Sequence, residues 1–298
     1  MKILMSGGTG LIGSAFIEKF KSEHQFTVIT RAPQKAKRQL GDNVAFVSDV
    51  SDVDDIGIFD AIINLAGEPI ADKRWTDTQK QIICDSRWDI TSKIVAKINS
   101  AGTPPPVFIS GSAIGFYGSK GSVDVTEQTP PHEEFTHDLC AKWEAIATSV
   151  TRDETRVCTL RTGVVLTENG GALEKMALPF KLGLGGKIGN GEQYLSWIHI
   201  DDMVSAIAYL LEHDSCHGPF NLTAPSPSTN KDFSHTLAAT LSRPCLFTVP
   251  GFVLKIAMGE SSDMILKGQK VLPEKLVTSG YMFAYPTLQG ALEAIYRH

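Results

Sequence analysis

Three glycines spaced by two residues near the start of the chain constrain its fold more than any other feature. Lys2-Ile3-Leu4-Met5 is a short apolar run, and Ser6-Gly7-Gly8-Thr9-Gly10-Leu11-Ile12-Gly13 follows it directly. Beyond the glycines, apolar residues recur at helical spacing as far as Phe20. A strand, a glycine turn and a helix in this order predict the first unit of a dinucleotide-binding domain.

Each position of the glycine motif has a physical reason to lack a bulky side chain. Gly7 makes the tight turn, Gly10 lets the backbone approach a pyrophosphate, and Gly13 lets the helix pack closely on the strand. The first turn of the helix then offers free N–H groups and a positive dipole end to the phosphates. The alternative is an ordinary βα turn without a ligand. The predicted cofactor-binding residues of this turn are Gly7, Gly10, Leu11, Ile12 and Gly13.

The residues after the second predicted strand indicate which dinucleotide binds. An NAD site usually places an acidic residue there to hold the ribose 2′-hydroxyl, but this chain has Thr30 and Arg31, with Lys35 and Arg38 nearby. Guanidinium and ammonium groups suit a 2′-phosphate. The alternative is a solvated basic loop. The pattern favours NADP over NAD.

Two further strand ends supply candidate cofactor contacts. Asp49 follows the predicted strand 44–47, where it can accept a hydrogen bond from the adenine amino group or cap the next turn. Leu65, Ala66 and Gly67 end the strand that begins at residue 61, and small residues let the backbone pass beside a cofactor.

Hydroxyl groups gather at the end of the predicted strand 107–110. Ser110 and Ser112 lie there, and Tyr117 follows in the next loop. Ligands of open α/β sheets bind at the carboxyl ends of the strands, so these side chains are candidates for cofactor binding and chemistry.

Strands that alternate with helices as far as residue 166 predict the fold class. The pattern is typical of an α/β protein with a Rossmann doubly wound parallel sheet. We assign residues 1–165 to an NADP-binding domain, to which 196–222 returns, and 166–298 mainly to a smaller C-terminal lobe that covers the substrate. Within the returning segment, Asp201 is expected to be the N-cap of a helix.

These motifs resemble the short-chain dehydrogenase/reductase superfamily, and more narrowly its atypical "epimerase family" proteins. The residues that carry the resemblance are the N-terminal glycine turn, Asn64-Leu-Ala-Gly-Glu68, Lys142-Trp143-Glu144, Leu160-Arg-Thr-Gly163 and Pro179-Phe-Lys-Leu-Gly-Leu-Gly-Gly186. The segment 268–273 is similar to their tail domain of unknown function, so the resemblance covers essentially the whole chain. It implies that Thr30, Arg31, Leu65, Ala66 and Arg87 contact NADP. From the residues alone, Arg87 can equally pair with Asp85 or Asp89 in its predicted helix.

The chain departs from the superfamily at the catalytic pair Tyr-x-x-x-Lys, in which the ammonium lowers the pKa of the phenol. Lys142 is present, but the residue four positions before it is Asp138, with which it can form an ion pair. Tyr117 is the alternative phenol, unless it packs within its loop. The predicted catalytic residues are Ser112, Tyr117 and Lys142.

Composition and charge narrow the remaining classes of function. A net charge of −5 with no basic block is unsuited to nucleic acid or anionic membranes, and no apolar run reaches the roughly 18 residues of a membrane span. The glycine turn begins too early to leave room for a signal peptide. Five scattered cysteines are expected to be free thiols in a reducing cytoplasm, with neither disulfides nor a metal site.

The sequence therefore predicts a cytoplasmic, NADP-dependent enzyme that acts on a small-molecule substrate. It is expected to be an oxidoreductase or, as the resemblance implies, a nucleotide-sugar-epimerase-like enzyme. The alternative is a non-catalytic NADP-binding sensor or interaction protein. The substrate and the oligomeric state stay open.

Overall fold

Strands and helices alternate along the first two-thirds of the chain in the computed structural model, which describes residues 1–168 and 170–297. The strands are β1 (Lys2–Ser6), β2 (Gln25–Ile29), β3 (Ala45–Val47), β4 (Ala61–Asn64), β5 (Val107–Ala113), β6 (Asp124–Val125), β7 (Arg156–Thr162), β8 (Val164–Leu166), β9 (Gly186–Ile188), β10 (Tyr194–Leu195), β11 (Trp197–His199), β12 (Gly218–Leu222), β13 (Ser228–Thr229), β14 (Phe247–Val249) and β15 (Lys270–Val271). The helices are α1 (Leu11–Phe20), α2 (Pro33–Leu40), α3 (Asp77–Ser100), α4 (Phe135–Ala147), α5 (Gly171–Lys181), α6 (Ile200–Glu212), α7 (Asn230–Thr240), α8 (Gly251–Met258), α9 (Asp263–Leu266), α10 (Glu274–Thr278) and α11 (Leu288–Tyr296).

Seven of the strands form one parallel sheet in the order β3-β2-β1-β4-β5-β7-β12. The chain starts at β1 in the middle, moves to one edge through β2 and β3, and returns to β4 before it moves to the other edge. This order confirms the predicted Rossmann sheet. It also creates a switch point between β1 and β4, where such sheets bind ligands.

Helices cover both faces of the sheet, so its central strands are apolar on both sides. Ile3 and Met5 are buried on one face in the cluster that includes α1 and α6, whereas Leu4 points to the other face and packs with Ile94 and Ile98 of α3. The carboxyl ends of the strands are thereby fixed relative to the helix that follows each of them.

Apart from α6 and β12, which belong to the main sheet and its core, much of the chain after β7 forms small two-stranded sheets and a second core. Trp197 and Phe233 are buried with apolar residues of α5, α7 and α11. β12 lies in the main sheet beside β7, and β15 pairs with β6, which attaches the C-terminal segment to the loop after β5. The division of the chain into two domains at residue 165 stays a prediction.

The start of α6 differs from the prediction. His199, not Asp201, is the N-cap, and its imidazole nitrogen accepts a hydrogen bond from the backbone N–H of Asp201 at 3.1 Å. The predicted strand 157–166 is also interrupted at Gly163, where the pairing changes: β7 belongs to the main sheet, whereas β8 pairs with β11. A Cβ on Gly163 would lie 2.6 Å from the carbonyl oxygen of Ser196, so the junction is tightly packed.

No helix in the described ranges is both long and apolar enough to cross a bilayer. All five cysteines are free thiols. The described residues include no group of three His, Cys, Asp or Glu side chains that could hold a metal ion.

Candidate cofactor and substrate site

The turn between β1 and α1 has the close approaches that its glycines predict. Gly7 has a φ of +74°, and a Cβ there would lie 2.5 Å from the carbonyl carbon of Leu65 and 2.7 Å from the backbone nitrogen of Ala66. A Cβ on Gly13 would collide with the carbonyl oxygen of Gly7. Only glycine is accommodated at either position, so β1, the exit of β4 and the start of α1 lie unusually close together.

The N-terminus of α1 offers free backbone donors. Gly10 is the N-cap, and among the described residues no side chain caps the first turn, which contains Leu11 and Ile12. The turn also carries no acidic residue. Free N–H groups at the positive end of a ten-residue helix form an anion site.

Arg31 stands at the end of β2, the strand next to β1. Its side chain is exposed and has no ion-pair partner within the described ranges. The Thr30 hydroxyl accepts a hydrogen bond from the backbone N–H of Ala32 at 3.2 Å and holds the turn. A free guanidinium at this strand end is suitably placed for a 2′-phosphate.

Asp49 caps the short 3-10 turn Val50–Asp52. Its carboxylate accepts hydrogen bonds from the backbone N–H and the hydroxyl of Ser51, and pairs with Lys93 at 2.7 Å. The hydrogen bond from Lys93, followed by those from Ser51, lowers the pKa of Asp49 to about 2. The structure thus shows the capping role that the sequence left open, and the adenine contact stays a prediction.

A cavity of about 370 Å³ lies at the carboxyl ends of β4 and β5, and we name it the central cavity. Ile12 of α1, Leu65 after β4 and the segment 111–115 form its inner wall, and α9 with Gln269 covers it from the C-terminal side. Ser110 precedes this segment, is completely buried, and has its hydroxyl 3.4 Å from the carbonyl oxygen of Gly111. The rest of the lining is mostly apolar, as the side chains of Ile70, Ile114, Leu139, Trp143, Val164 and Met264 show.

Arg87 reaches the central cavity from α3. Its guanidinium lies against Gly67, where a Cβ would be 2.8 Å from Cζ, and it donates to the carbonyl oxygen of Ile83 at 3.0 Å. Neither Asp85 nor Asp89 forms an ion pair with it. Burial lowers the pKa of Arg87 from its ordinary value, but a guanidinium stays charged in a protein. A partly buried cation without an anionic partner attracts a phosphate.

A buried polar chain holds α3 and α4 against the strand ends. The amide of Asn64, the last residue of β4, donates to the Thr91 hydroxyl at 2.8 Å, and the indole N–H of Trp143 donates to the same oxygen at 2.9 Å. The Ser6 hydroxyl donates to the amide oxygen of Asn64. Sequence reasoning missed Thr91 and Trp143 as members of the site, because their contacts join segments that are distant in the chain.

Ser112 is held from behind by a buried ion pair. Its hydroxyl donates to Glu144 Oε1 at 2.6 Å. Arg161 of β7 binds both oxygens of the same carboxylate, with Nε–Oε1 at 2.9 Å and Nη2–Oε2 at 2.8 Å. A carboxylate only accepts, so the Ser112 proton is directed to Glu144 and the hydroxyl presents lone pairs elsewhere.

Tyr117, which was predicted to be a catalytic phenol, lies behind the wall of the central cavity. The side chain is completely buried beside Val125 and Val271. Its hydroxyl donates to Asn221 Oδ1 at 2.7 Å and accepts from Arg161 Nη1 at 2.9 Å, and burial raises its pKa to about 12. This placement favours the alternative that Tyr117 packs and hydrogen-bonds inside the protein.

Lys142 lies on the outer side of α4 and does not line the central cavity. Its ammonium is 3.9 Å from the centre of the Trp88 ring. No ion pair with Asp138 forms in the part of the chain that the structure describes. This position gives no support to the predicted catalytic role of Lys142.

The side of α4 that faces the cavity instead carries Thr136 and Cys140. These two residues are four positions apart, like the superfamily's Tyr-x-x-x-Lys pair. They lie two positions before Asp138 and Lys142, where the sequence alone would place that pair. Because two positions turn a helix by about 200°, Lys142 lies on the side of α4 that faces away from the central cavity. The helical periodicity of Leu139, Cys140 and Trp143 was the pattern that could have identified the correct one.

The Cys140 thiol interacts with the Ser112 side chain and with the backbone of Ala113. Burial raises the pKa of Cys140 to about 12, so the thiol is neutral at physiological pH. Thr136 donates its hydroxyl proton to Glu134 Oε1 at 2.6 Å. The face of α4 next to the cofactor site therefore carries neither a phenol nor an ammonium.

Comparisons with known proteins agree with this architecture. The model of the NAD dependent epimerase/dehydratase family matches residues 3–222, and that of a domain of unknown function, DUF1731, matches 249–295. The epimerase family protein SH2119 of Staphylococcus haemolyticus is 37% identical over 296 residues, which cover 98% of each chain. The human epimerase family protein SDR39U1 is 35% identical over 300 residues, 99% of each chain.

Solved structures of related proteins have the same fold as this chain. The crystal structure of human SDR39U1 (isoform2) with NADPH superposes with a TM-score of 0.92 at 34% identity and covers 100% of both chains. A UDP-glucuronic acid 4-epimerase from Bacillus cereus shares the fold, with a TM-score of 0.78 over 99% of this chain and 98% of that one, at 17% identity. The matched family model and the full-length relatives confirm the resemblance seen in the sequence: this chain belongs to the NAD dependent epimerase/dehydratase family.

Proposed function

We propose that this protein binds NADP(H) and acts as an oxidoreductase on a small molecule. The observation that carries the proposal is a pair of guanidiniums without an anionic partner among the described residues: Arg31 follows β2, and Arg87 of α3 lies against Gly67 after β4. Two cations without counterions on this side of the sheet would neutralise a ligand that carries several phosphates. The human relative SDR39U1, crystallised with NADPH, supports this identification of the ligand.

The chain has a suitable group for each part of the cofactor. The free N–H groups of the α1 N-terminus would hold the pyrophosphate, and Arg31 with Thr30 would hold the 2′-phosphate. Leu65 and the segment after Ser110 would flank the nicotinamide end, where the central cavity leaves room for a substrate. When bound in its reduced form, this cofactor supplies hydride to an acceptor. The five free thiols suit a reducing compartment, so we place the protein in the cytoplasm.

A fluorescence titration with NADPH and with NADH tests the proposal. We expect NADPH to bind at least tenfold more tightly than NADH. Arg31→Ala should remove most of this preference by weakening NADPH binding alone, because NADH lacks the 2′-phosphate. Arg243→Ala, which deletes an exposed guanidinium after α7, serves as the matched control and should leave the preference in place. Equal affinity for both cofactors, or no binding of either, would refute the assignment.

The second candidate function is a non-catalytic NADP(H) sensor, and one observation favours it. Thr136 and Cys140 occupy the cavity face of α4, where a phenol and an ammonium would be needed for the superfamily's usual proton transfer. Turnover separates the two functions. Oxidation of NADPH that depends on an added acceptor establishes the enzyme, whereas tight binding without turnover across acceptor classes establishes the sensor.

A further inference from the structure

Two of the hydroxyl groups that line the central cavity donate to protein carboxylates, and a third, that of Thr162, donates to the carbonyl oxygen of Leu160 at 3.2 Å. Ser112 donates to Glu144 at 2.6 Å and Thr136 donates to Glu134 at 2.6 Å. Because a carboxylate accepts and cannot donate when ionised, each hydroxyl must direct its own proton away from a bound substrate. Toward the cavity, both groups present lone pairs. They can therefore accept a hydrogen bond from a substrate but are not arranged to protonate one.

Other proton donors near the cavity are also engaged by groups of the protein itself. The Cys140 thiol is fully buried, and Tyr117 lies behind the wall with its proton donated to Asn221. Lys267 lies at the rim in an ion pair with Asp263 at 2.7 Å, and that pairing raises its pKa. Ser119, also at the rim, forms no side-chain hydrogen bond with a lysine or arginine of the described residues.

Glu144 cannot serve as a proton donor to the substrate through the Ser112 hydroxyl. Glu144 is bound at both oxygens by Arg161, and the two side chains are only 11% and 5% exposed. Passing a proton to Glu144 would leave Arg161 charged and unpaired in the interior, which is costly. The Glu144–Arg161 pair thus fixes the orientation of Ser112 and is not a proton store.

The reduction of an isolated ketone needs an acid within hydrogen-bonding distance, because hydride addition alone leaves a strongly basic alkoxide. A quinone or an oxidised flavin differs in this respect. The charge of its reduced form is spread over a conjugated ring, and water protonates that form later. Only the second class of acceptor matches a cavity whose inner wall lacks an acid.

We propose that the substrate is a planar, conjugated acceptor of the quinone or flavin type that is reduced without a protein acid. This inference rests on the oxidoreductase function proposed above. In the balanced reaction, the acceptor, NADPH and one proton from water give the two-electron-reduced acceptor and NADP⁺. A C–H bond of the dihydronicotinamide breaks, and new bonds to hydrogen form on the acceptor's oxygen or nitrogen atoms.

The shape and lining of the site agree with such an acceptor. Leu139, Trp143 and Met264 give the central cavity apolar walls that suit a flat ring. A second, open cavity of about 1010 Å³ adjoins it through Ser119 and Lys267 and carries Lys187 and Lys231. A quinone would need only the central cavity, whereas the phosphate chain of a flavin nucleotide would extend into the open one.

Binding of an acceptor to the NADP⁺-loaded full chain is the first test, by calorimetry. The probe is 2,3-dimethyl-1,4-naphthoquinone, whose blocked ring carbons prevent addition to thiols, and FMN forms the second arm. We expect Met264→Trp, which fills the central cavity, to weaken binding of the naphthoquinone at least tenfold and to change NADP⁺ affinity less than threefold. Met282→Trp is the same substitution at a side chain that is 87% exposed, and it should change neither affinity.

Turnover is the second test, with 1-tetralone as the matched ketone. After subtraction of the protein-free rate, we expect kcat/KM for the naphthoquinone or FMN to exceed that for 1-tetralone at least 100-fold. The arm that shows turnover identifies the source of the conjugated ring. If NADPH binds but 1-tetralone is reduced equally well, or no probe binds or is reduced, the inference is overturned and the cofactor assignment stands. If NADPH does not bind, the proposed function fails first.

Discussion

Arg161 of β7 and Glu144 of α4 form a two-pronged ion pair beneath the central cavity, with N–O distances of 2.9 and 2.8 Å. Through Glu144 the pair orients Ser112, and through Arg161 Nη1 it orients Tyr117. One buried pair therefore joins the wall of the candidate site to the hydrophobic interior behind it.

Replacement of one partner should be strongly destabilising. Glu144→Gln leaves Arg161 charged without a counterion, and breaking a buried pair in this way costs about 3–5 kcal/mol. We expect that loss in the free energy of unfolding measured with urea. Glu18→Gln breaks the exposed pair with Lys21 and should cost less than about 1 kcal/mol. Similar losses for both variants would show that the buried pair contributes no more to the free energy of unfolding than the exposed pair does.

The glycine turn can be tested with a single methyl group. Gly13→Ala places a Cβ against the carbonyl oxygen of Gly7, so β1 and α1 must separate. We expect a lower melting temperature and at least tenfold weaker NADPH binding. Gly102→Ala adds a Cβ with nothing within 4 Å and is the matched control. An unchanged affinity in Gly13→Ala would disprove the assigned role of the turn.

Tyr117→Phe should affect stability and not cofactor affinity. The variant removes the hydroxyl between Asn221 and Arg161 and leaves two buried polar groups short of a partner. A cost of about 1–3 kcal/mol is expected for such a loss. Thermal unfolding and an NADPH titration measure the two properties. A stable variant that binds NADPH but turns over much more slowly would instead show that Tyr117 is catalytic.

Asp49 predicts a pH-dependent contribution to stability. Its pKa is about 2 in the folded protein against an ordinary value of 3.8, because it accepts hydrogen bonds from Lys93 and Ser51. A lowered folded pKa means that the stabilisation is present above pH 3.8 and is lost as the pH falls through 2. Asp49→Asn should therefore cost up to about 1 kcal/mol at pH 7, since the site is partly exposed, and progressively less below pH 4.

Urea midpoints at pH 7, 4 and 3 measure this effect of Asp49. Asp42→Asn removes a carboxylate from a more exposed ion pair with Lys37 and provides the comparison. A cost of Asp49→Asn that stays constant over this range would contradict the linkage.

The cavity face of α4 can be given the pair that it lacks. Thr136→Tyr combined with Cys140→Lys places a phenol and an ammonium four residues apart on the wall of the central cavity. We expect 1-tetralone reduction to rise at least tenfold, provided that circular dichroism shows a folded protein. The same pair at 138 and 142, Asp138→Tyr with the native Lys142, lies on the outer face and should give no gain. A gain from that control would mean that the faces of the helix are assigned incorrectly.

Local patterns were sufficient for the sheet and for the glycine turn. The steric demand at Gly13 acts against the nearby Gly7, and the alternation of strands with helices leaves few topologies. In contrast, the start of α6 was predicted incorrectly. His199 and Asp201 can both cap the N-terminus of a helix, and only the backbone geometry decides between them.

The sequence by itself determined the parallel sheet, the phosphate-binding turn and the family of this protein, because these depend on short-range spacing. Only the tertiary structure decided which side chains face the central cavity. The rotation of α4 is set by Trp143 and Glu144, whose partners Thr91 and Arg161 lie elsewhere in the chain. Tyr117 is buried by Val271, which β15 brings to β6 from the C-terminal segment. Contacts between segments so distant in sequence leave no local pattern, so only the packed structure reveals them.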